Sequence, residues 1–214
     1  MSEAVEHVVT GPTVCVDFKN PKAYLALRPT LALEVELGTT FDWLPLIVSP
    51  LSRPQPELDS EDRGARHRRI RAQYYERDLR RYAGVYGMEL GDLYRNPDVS
   101  LASIGLLWAR RHSAAAVRAY LHAVFDGYWR DNLDIESATA IARLLAESGA
   151  DIAGWAGYST GTGRGQLEQT TAALRGAGLF DVPAYVVEGE TLFGRQHLPM
   201  VGWLLSGRTG EPPI

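Results

Sequence analysis

The chain has 214 residues, 45% of them hydrophobic, enough to bury a substantial core in one large domain or in a smaller domain carrying an insertion. Its formal charge is −4, from 22 Lys and Arg against 26 Asp and Glu, so the global electrostatics give no reason to expect nucleic acid or an anionic membrane as partner. The single cysteine, Cys15, excludes an internal disulfide, a CxxC redox pair and a cysteine-rich zinc site.

Residues 1–12, MSEAVEHVVTGP, lack the basic start and apolar run of a secretory signal, and no apolar stretch reaches the length of a membrane span. A cytoplasmic protein is the expectation. TVCVDF at 13–18 is β-branched and aromatic and predicts a buried strand, with Cys15 as a small, inert core residue. Asn20 then reads as a helix N-cap and Pro21 as the first helical residue, because a proline there loses no hydrogen bond. The helix should run through Tyr24, Leu25, Leu27, Leu31 and Leu33 to a stop at Gly38, with Pro29 kinking it or splitting it in two. TTFDWLPLIV at 39–48 predicts a second strand ending near Pro45, parallel to the first through a right-handed crossover, and 49–62 a loop.

From 63 to 158 alanine, arginine and leucine recur at helical spacing, predicting helices at 64–85, 99–111, 114–130, 136–148 and 151–157. The glycine-rich 161–165 reads as a linker, since no strand precedes it and no Lys-Ser or Lys-Thr ends it as in a phosphate loop. A helix at 166–177, a hairpin around Glu188-Gly189-Glu190 and a last helix near Gln196–Leu205 complete the chain. The order βαβ, helices, ββα is that of an α/β protein, a thioredoxin-like core (1–60 and 161–214) with a large inserted all-helical domain (61–160).

The arginine run from Arg66 to Arg81 is interleaved with Glu61, Asp62, Glu76 and Asp78, and Glu76 and Arg80 stand at i,i+4; this is the charge pattern of a solvated helix face. The histidines show no metal-ligand spacing, and no metal is expected. Most of the many aromatic residues should be core. Tyr24, one turn beyond Asn20, and Trp43 are the leading candidates to line a substrate cleft.

Four segments, in order, resemble one family. DFKNPKAYLA (17–26) is similar to DFxSPYSYLA, FDWLPLIV (41–48) to a W-x-P second strand, RAQYYERDLRRYA (71–83) to KxxYxxxDxxRxA, and GLFDVPAYVVEGETLFGRQHL (178–198) to GVFGVPTFVVDGExFWGxDRL. These are segments of 2-hydroxychromene-2-carboxylate isomerases and kappa-class glutathione transferases, relatives of DsbA-like disulfide oxidoreductases. The resemblance implies a reactive position at Asn20, in place of the family's cysteine or serine. It also implies a cis-proline at Pro183 preceded by Val182, and a grip on the glutamyl end of glutathione at Arg195 and Gln196, the latter replacing an acidic residue.

Two readings follow. In the first the protein is a glutathione-dependent isomerase or transferase, or uses another low-molecular-weight thiol, and acts on a small aromatic or unsaturated substrate. Asn20 and Lys22 would serve catalysis, Pro21, Val182, Pro183, Arg195 and Gln196 would bind the thiol, and the amides and macrodipole of the first helix would favour its anion. In the second it is a catalytically inactive DsbA-like binding or interaction module. Disulfide exchange needs an attacking thiolate that the turn lacks. A homodimer is implied by the resemblance only.

Overall fold

A computed structural model describes residues 9, 11–54, 56, 62–131 and 133–213. His7, Glu61 and the expected domain boundary near 60 lie outside the described residues.

Strand β1 (Thr13–Val16) is buried throughout and lies at the centre of a four-stranded sheet of order β2-β1-β3-β4. It pairs in parallel with β2 (Asp42–Pro45), Thr13 facing Asp42 and Cys15 facing Leu44. On its other side it runs antiparallel to β3 (Ala184–Val187), with Cys15 opposite Ala184, and β3 turns back into β4 (Glu190–Phe193). The two residues of that turn, Glu188 and Gly189, both have positive φ, 50° and 83°, the geometry that matches strand twist in a tight hairpin.

Helix α1 (Pro21–Leu37) connects β1 to β2. The Asn20 side chain caps its start, and Gly38, at φ 60°, lets the Thr39 N–H close back on the Glu34 carbonyl at its end. The expected break at Pro29 does not occur: the helix is continuous. One missing N–H costs less than exposing the Tyr24, Leu25, Leu27 and Thr30 face that the unbroken helix buries.

Between β2 and β3 come α2 (Arg63–Val85), α3 (Ser100–Ala109), α4 (Ala114–Trp129), α5 (Ala138–Glu147), α6 (Trp155–Thr160) and α7 (Thr162–Gly176). A 3₁₀ turn (Arg195–His197) and α8 (Leu198–Leu205) follow β4. Glu76 and Arg80 form the i,i+4 pair on α2, at 3.4 Å. The glycine-rich 161–165 is not a linker, because α7 starts inside it at Thr162. A Cβ on Gly163 would meet Ile104 and Tyr158 atoms at 2.7 Å, so that glycine is there to let α7 approach α3. The helix expected at 151–157 starts only at Trp155, after the Asp151 side chain has accepted the Ala153 N–H. Among the described residues no helix is long and apolar enough to cross a membrane.

Candidate functional site

β1 ends in a turn, Asp17 to Asn20, at the carboxyl ends of the parallel pair, where open α/β sheets leave a crevice for ligands. Three long-range ties pin it. Asp17 is buried, and its Oδ1 accepts the Lys19 N–H while its Oδ2 accepts the Val48 N–H beyond β2. The Trp129 indole N–H donates to the Phe18 carbonyl, and Lys19 Nζ to Asn96 Oδ1.

Asn20, 4% exposed, closes the turn. Its Oδ1 accepts the Lys22 N–H at 2.9 Å, and its carbonyl accepts the N–H groups of Ala23 and Tyr24. Pro21 has no N–H. The amides of the first helical turn are therefore already satisfied by Asn20, contrary to the expectation that they stay open for a ligand. Capping through Oδ1 also fixes which end of the side-chain amide faces away. Nδ2, with two N–H bonds, has no hydrogen-bond partner among the described residues.

Opposite the turn, the Val182–Pro183 peptide bond is cis. Asp181 joins this segment to the helix start: its Oδ2 pairs with Lys22 Nζ and its Oδ1 accepts the Val182 N–H at 2.8 Å. Phe180 is 74% exposed and packs on Phe193 with ring centroids 4.4 Å apart, and the Arg195 guanidinium lies 3.7 Å over the Tyr82 ring of α2.

A cavity of about 400 Å³ is walled by Ile47, Ser100, Ile104, Arg164, Leu167 and Thr171, and by no residue of the turn itself. Ile47 adjoins Val48, which Asp17 holds, and Asp98, whose carboxyl Ser100 keeps below the usual range, also feels both Arg164 and Lys19. Thr171 Oγ1 is buried there without a partner among the described residues. A second cavity of about 440 Å³, by Asp42, Arg110 and Arg118, lies at the other end of the strands, since Asp42 begins β2. No group of three metal-ligating side chains converges among the described residues.

The DSBA-like thioredoxin domain family model matches residues 32–205. The chain belongs to this family. No curated protein matches its sequence. The structure is similar to that of a 2-hydroxychromene-2-carboxylate isomerase, with TM-score 0.69 and 21% identity over 92% of this chain and 94% of the isomerase. It is equally similar to a probable DsbA oxidoreductase from Streptomyces coelicolor, with TM-score 0.69 and 16% identity over 95% and 92% of the two chains. At these identities the likeness establishes the thioredoxin-like fold.

Within this DSBA-like fold Asn20, Lys22, Asp181 and Val182 meet at one place, but other expected site residues do not serve as expected. Tyr24 is fully buried, its ring stacked between Phe125 and Trp129 and its hydroxyl donating to Asp126 at 2.6 Å, so it braces α1 against α4 and lines no cleft. Trp43 is buried too, its indole N–H on Glu34 Oε1 at 3.2 Å, and it borders the cavity at the far end of the sheet. Lys22 adds no net field at the helix start, because Asp181 neutralises it. Gln196 donates to the Phe193 carbonyl, and Arg195 is stacked on Tyr82. Asp181 escaped the sequence reading, although it stands at the second glycine of GVFGVP, as Lys22 stands at the first tyrosine of DFxSPYSYLA. Opposite charges at two departures from one pattern were the available signal.

Burial pushes the Asp17 carboxyl up to about 6, against the lowering effect of the Val48 and Lys19 backbone bonds and of the Lys19 charge. The folded protein thus holds a proton that the unfolded chain has lost between the ordinary value of 3.8 and about 6. The stability contributed by Asp17 is full below that window and lost as pH rises through it, by of order 2–3 kcal/mol. In urea denaturation from pH 4 to 7, wild type should lose this much relative to Asp17→Asn, which does not titrate. A pH-independent difference between the two would refute it.

Proposed function

We propose that this DSBA-like protein is a thiol-dependent isomerase or transferase acting on a small aromatic or unsaturated electrophile. The observation that carries the reading is the Asn20 side chain, whose Oδ1 caps the helix while Nδ2 keeps two uncommitted N–H bonds at the positive end of a 17-residue helix. Such donors stabilise negative charge on sulfur or on an enolate oxygen as oxyanion-hole donors do, with no reorganisation because the cap has already set their direction.

The sulfur end of glutathione or another low-molecular-weight thiol fits this turn; the peptide end meets a Val182 amide that Asp181 already holds. When bound, a thiolate supplies the nucleophile that adds reversibly to an electron-poor double bond and leaves again, so that the bond turns as a single bond in between. Asn20 orients the negative charge, and Asp17 and Trp129 hold the turn. Cys15 takes no part: it is buried in β1, and burial raises its thiol far above the range in which a thiolate forms.

The second reading, a binding module without catalysis, is favoured by an apolar group left in solvent beside the same site, Phe180, next to Asp181. Turnover decides between them. Isomerisation of an electron-poor aromatic alkene is followed with protein alone, thiol alone, and both. Acceleration that requires both supports the enzyme; none with glutathione, cysteine or 2-mercaptoethanol leaves the module.

A further inference from the structure

Asp181 occupies two groups of the site at once, Lys22 Nζ through Oδ2 and the Val182 N–H through Oδ1. The β1–β3 ladder begins at the Cys15–Ala184 pair, so the Val182 amide lies beyond it and has no strand neighbour. A main-chain N–H at a strand end, next to a helix start, is the donor that an extended peptide ligand would pair with. In this chain it is taken by a carboxylate from the adjacent residue. An exposed or half-exposed ion pair adds little to stability, and with the Lys22 and Asp181 side chains 30% and 37% exposed the fold alone gives no reason for this one.

The two charges also belong together. A lone lysine at position 22 would draw anions to the turn, and a lone aspartate at 181 would repel them. Paired, they cancel, and the pairing holds the aspartate where it caps Val182. A peptide carbonyl taking its place exchanges a charge-assisted hydrogen bond for a weaker neutral one and leaves the carboxylate to find water.

We propose that Asp181 is a specificity-determining residue that, held by Lys22, excludes peptide thiols such as glutathione and leaves the Asn20 turn to a compact monothiol that needs no main-chain pairing. This rests on the thiol-dependent reading above. It makes the cofactor a small thiol with one anionic sulfur, bound through Asn20 Nδ2 and the field of α1, with the Val182 amide left on Asp181.

The test is an NMR titration of the wild type, Asp181→Gly and Asp181→Asn with reduced glutathione and, separately, with 2-mercaptoethanol. The Asn20 side-chain amide and the Val182 backbone amide are the reporters. Freeing the Val182 donor should tighten glutathione about tenfold in Asp181→Gly, the factor that one recovered hydrogen bond supplies. The Val182 signal should move only in the variants; Lys22, left unpaired in both, draws either thiolate alike, so the 2-mercaptoethanol Kd should tighten less than the glutathione Kd, by the factor that the recovered Val182 hydrogen bond supplies. Asp181→Asn keeps a side chain at the position and guards against a merely loosened backbone; it should tighten glutathione in the same direction. Glutathione binding equally to all three proteins, with the Val182 signal moving in wild type, overturns the role of Asp181 and leaves the thiol reading standing. Failure of both thiols to move the Asn20 signal in any of the three overturns both.

Discussion

Replacing Asn20 by alanine lowers thiol-dependent turnover by a factor of about 10²–10³, the range seen when one preorganised oxyanion donor is lost. It also costs about 1 kcal/mol of stability, since the Lys22 N–H loses its cap. The two effects separate with Asn20→Asp and Asn20→Ser. Aspartate caps a helix as well as asparagine does but puts a negative charge where Nδ2 stood, so the fold should keep its stability while turnover falls at least as far as in Asn20→Ala. Serine caps and still has an O–H to donate, and it restores the residue of the DFxSPYSYLA pattern; turnover should be retained or raised. Stopped-flow turnover and urea denaturation on the same three variants give both quantities. An Asn20→Asp protein as active as wild type would show that the side chain only caps the helix.

Replacing Glu34 by alanine lowers stability by about 3–5 kcal/mol, the cost of breaking a buried ion pair from one side. Glu34 is buried in α1 and satisfies three donors from two other regions. Its Oε1 accepts the Phe41 N–H at 2.8 Å and the Trp43 indole, and its Oε2 accepts Arg118 Nε of α4 at 2.7 Å. Alanine leaves all three unpaired and opens a cavity, whereas Arg118, 38% exposed on its side chain, can still turn towards water. The loss should therefore lie near the lower end, a fall in Tm of roughly 10 °C for a chain of this size. Glu34→Gln keeps an acceptor for the two β2-side donors but faces Arg118 with a neutral group, and should lose about half as much. Chemical denaturation with an unchanged m-value checks it. A Glu34→Ala protein within 1 kcal/mol of wild type would mean that water reaches the site freely. Because this contact lies at the opposite end of the sheet from Asn20, residual activity at low temperature should be little altered.

The features that could be read from the sequence depend on neighbours a few residues away. Asn20-Pro21 had to start a helix because the cap oxygen, the missing proline N–H and the first-turn amides all lie within four residues. Glu188-Gly189 between two β-rich runs had to turn, since only residues able to take positive φ close so short a hairpin. With βαβ first and ββα last, that local information settled the α/β class and the order of the elements, and placed the one cysteine on a buried strand.

Where a feature depends on a distant residue, local reading went astray. Gly163 looked like linker because nothing nearby in sequence shows that Ile104 fills the space of its missing side chain. Tyr24 and Trp43 looked like cleft walls because the rings that stack on Tyr24, Phe125 and Trp129, and the two acceptors, Asp126 for Tyr24 and Glu34 for Trp43, come together only on folding. Lys22 reads as a catalytic residue of the turn because Asp181, which pairs with it, is 159 residues away. The sequence by itself determined the turn that carries Asn20 and the helix behind it, since capping and φ preferences act within one turn of chain. Only the tertiary structure decided which donors at that turn remain open, because a hydrogen bond or an ion pair is settled by whichever partner the fold brings within about 3 Å, regardless of its place in the chain.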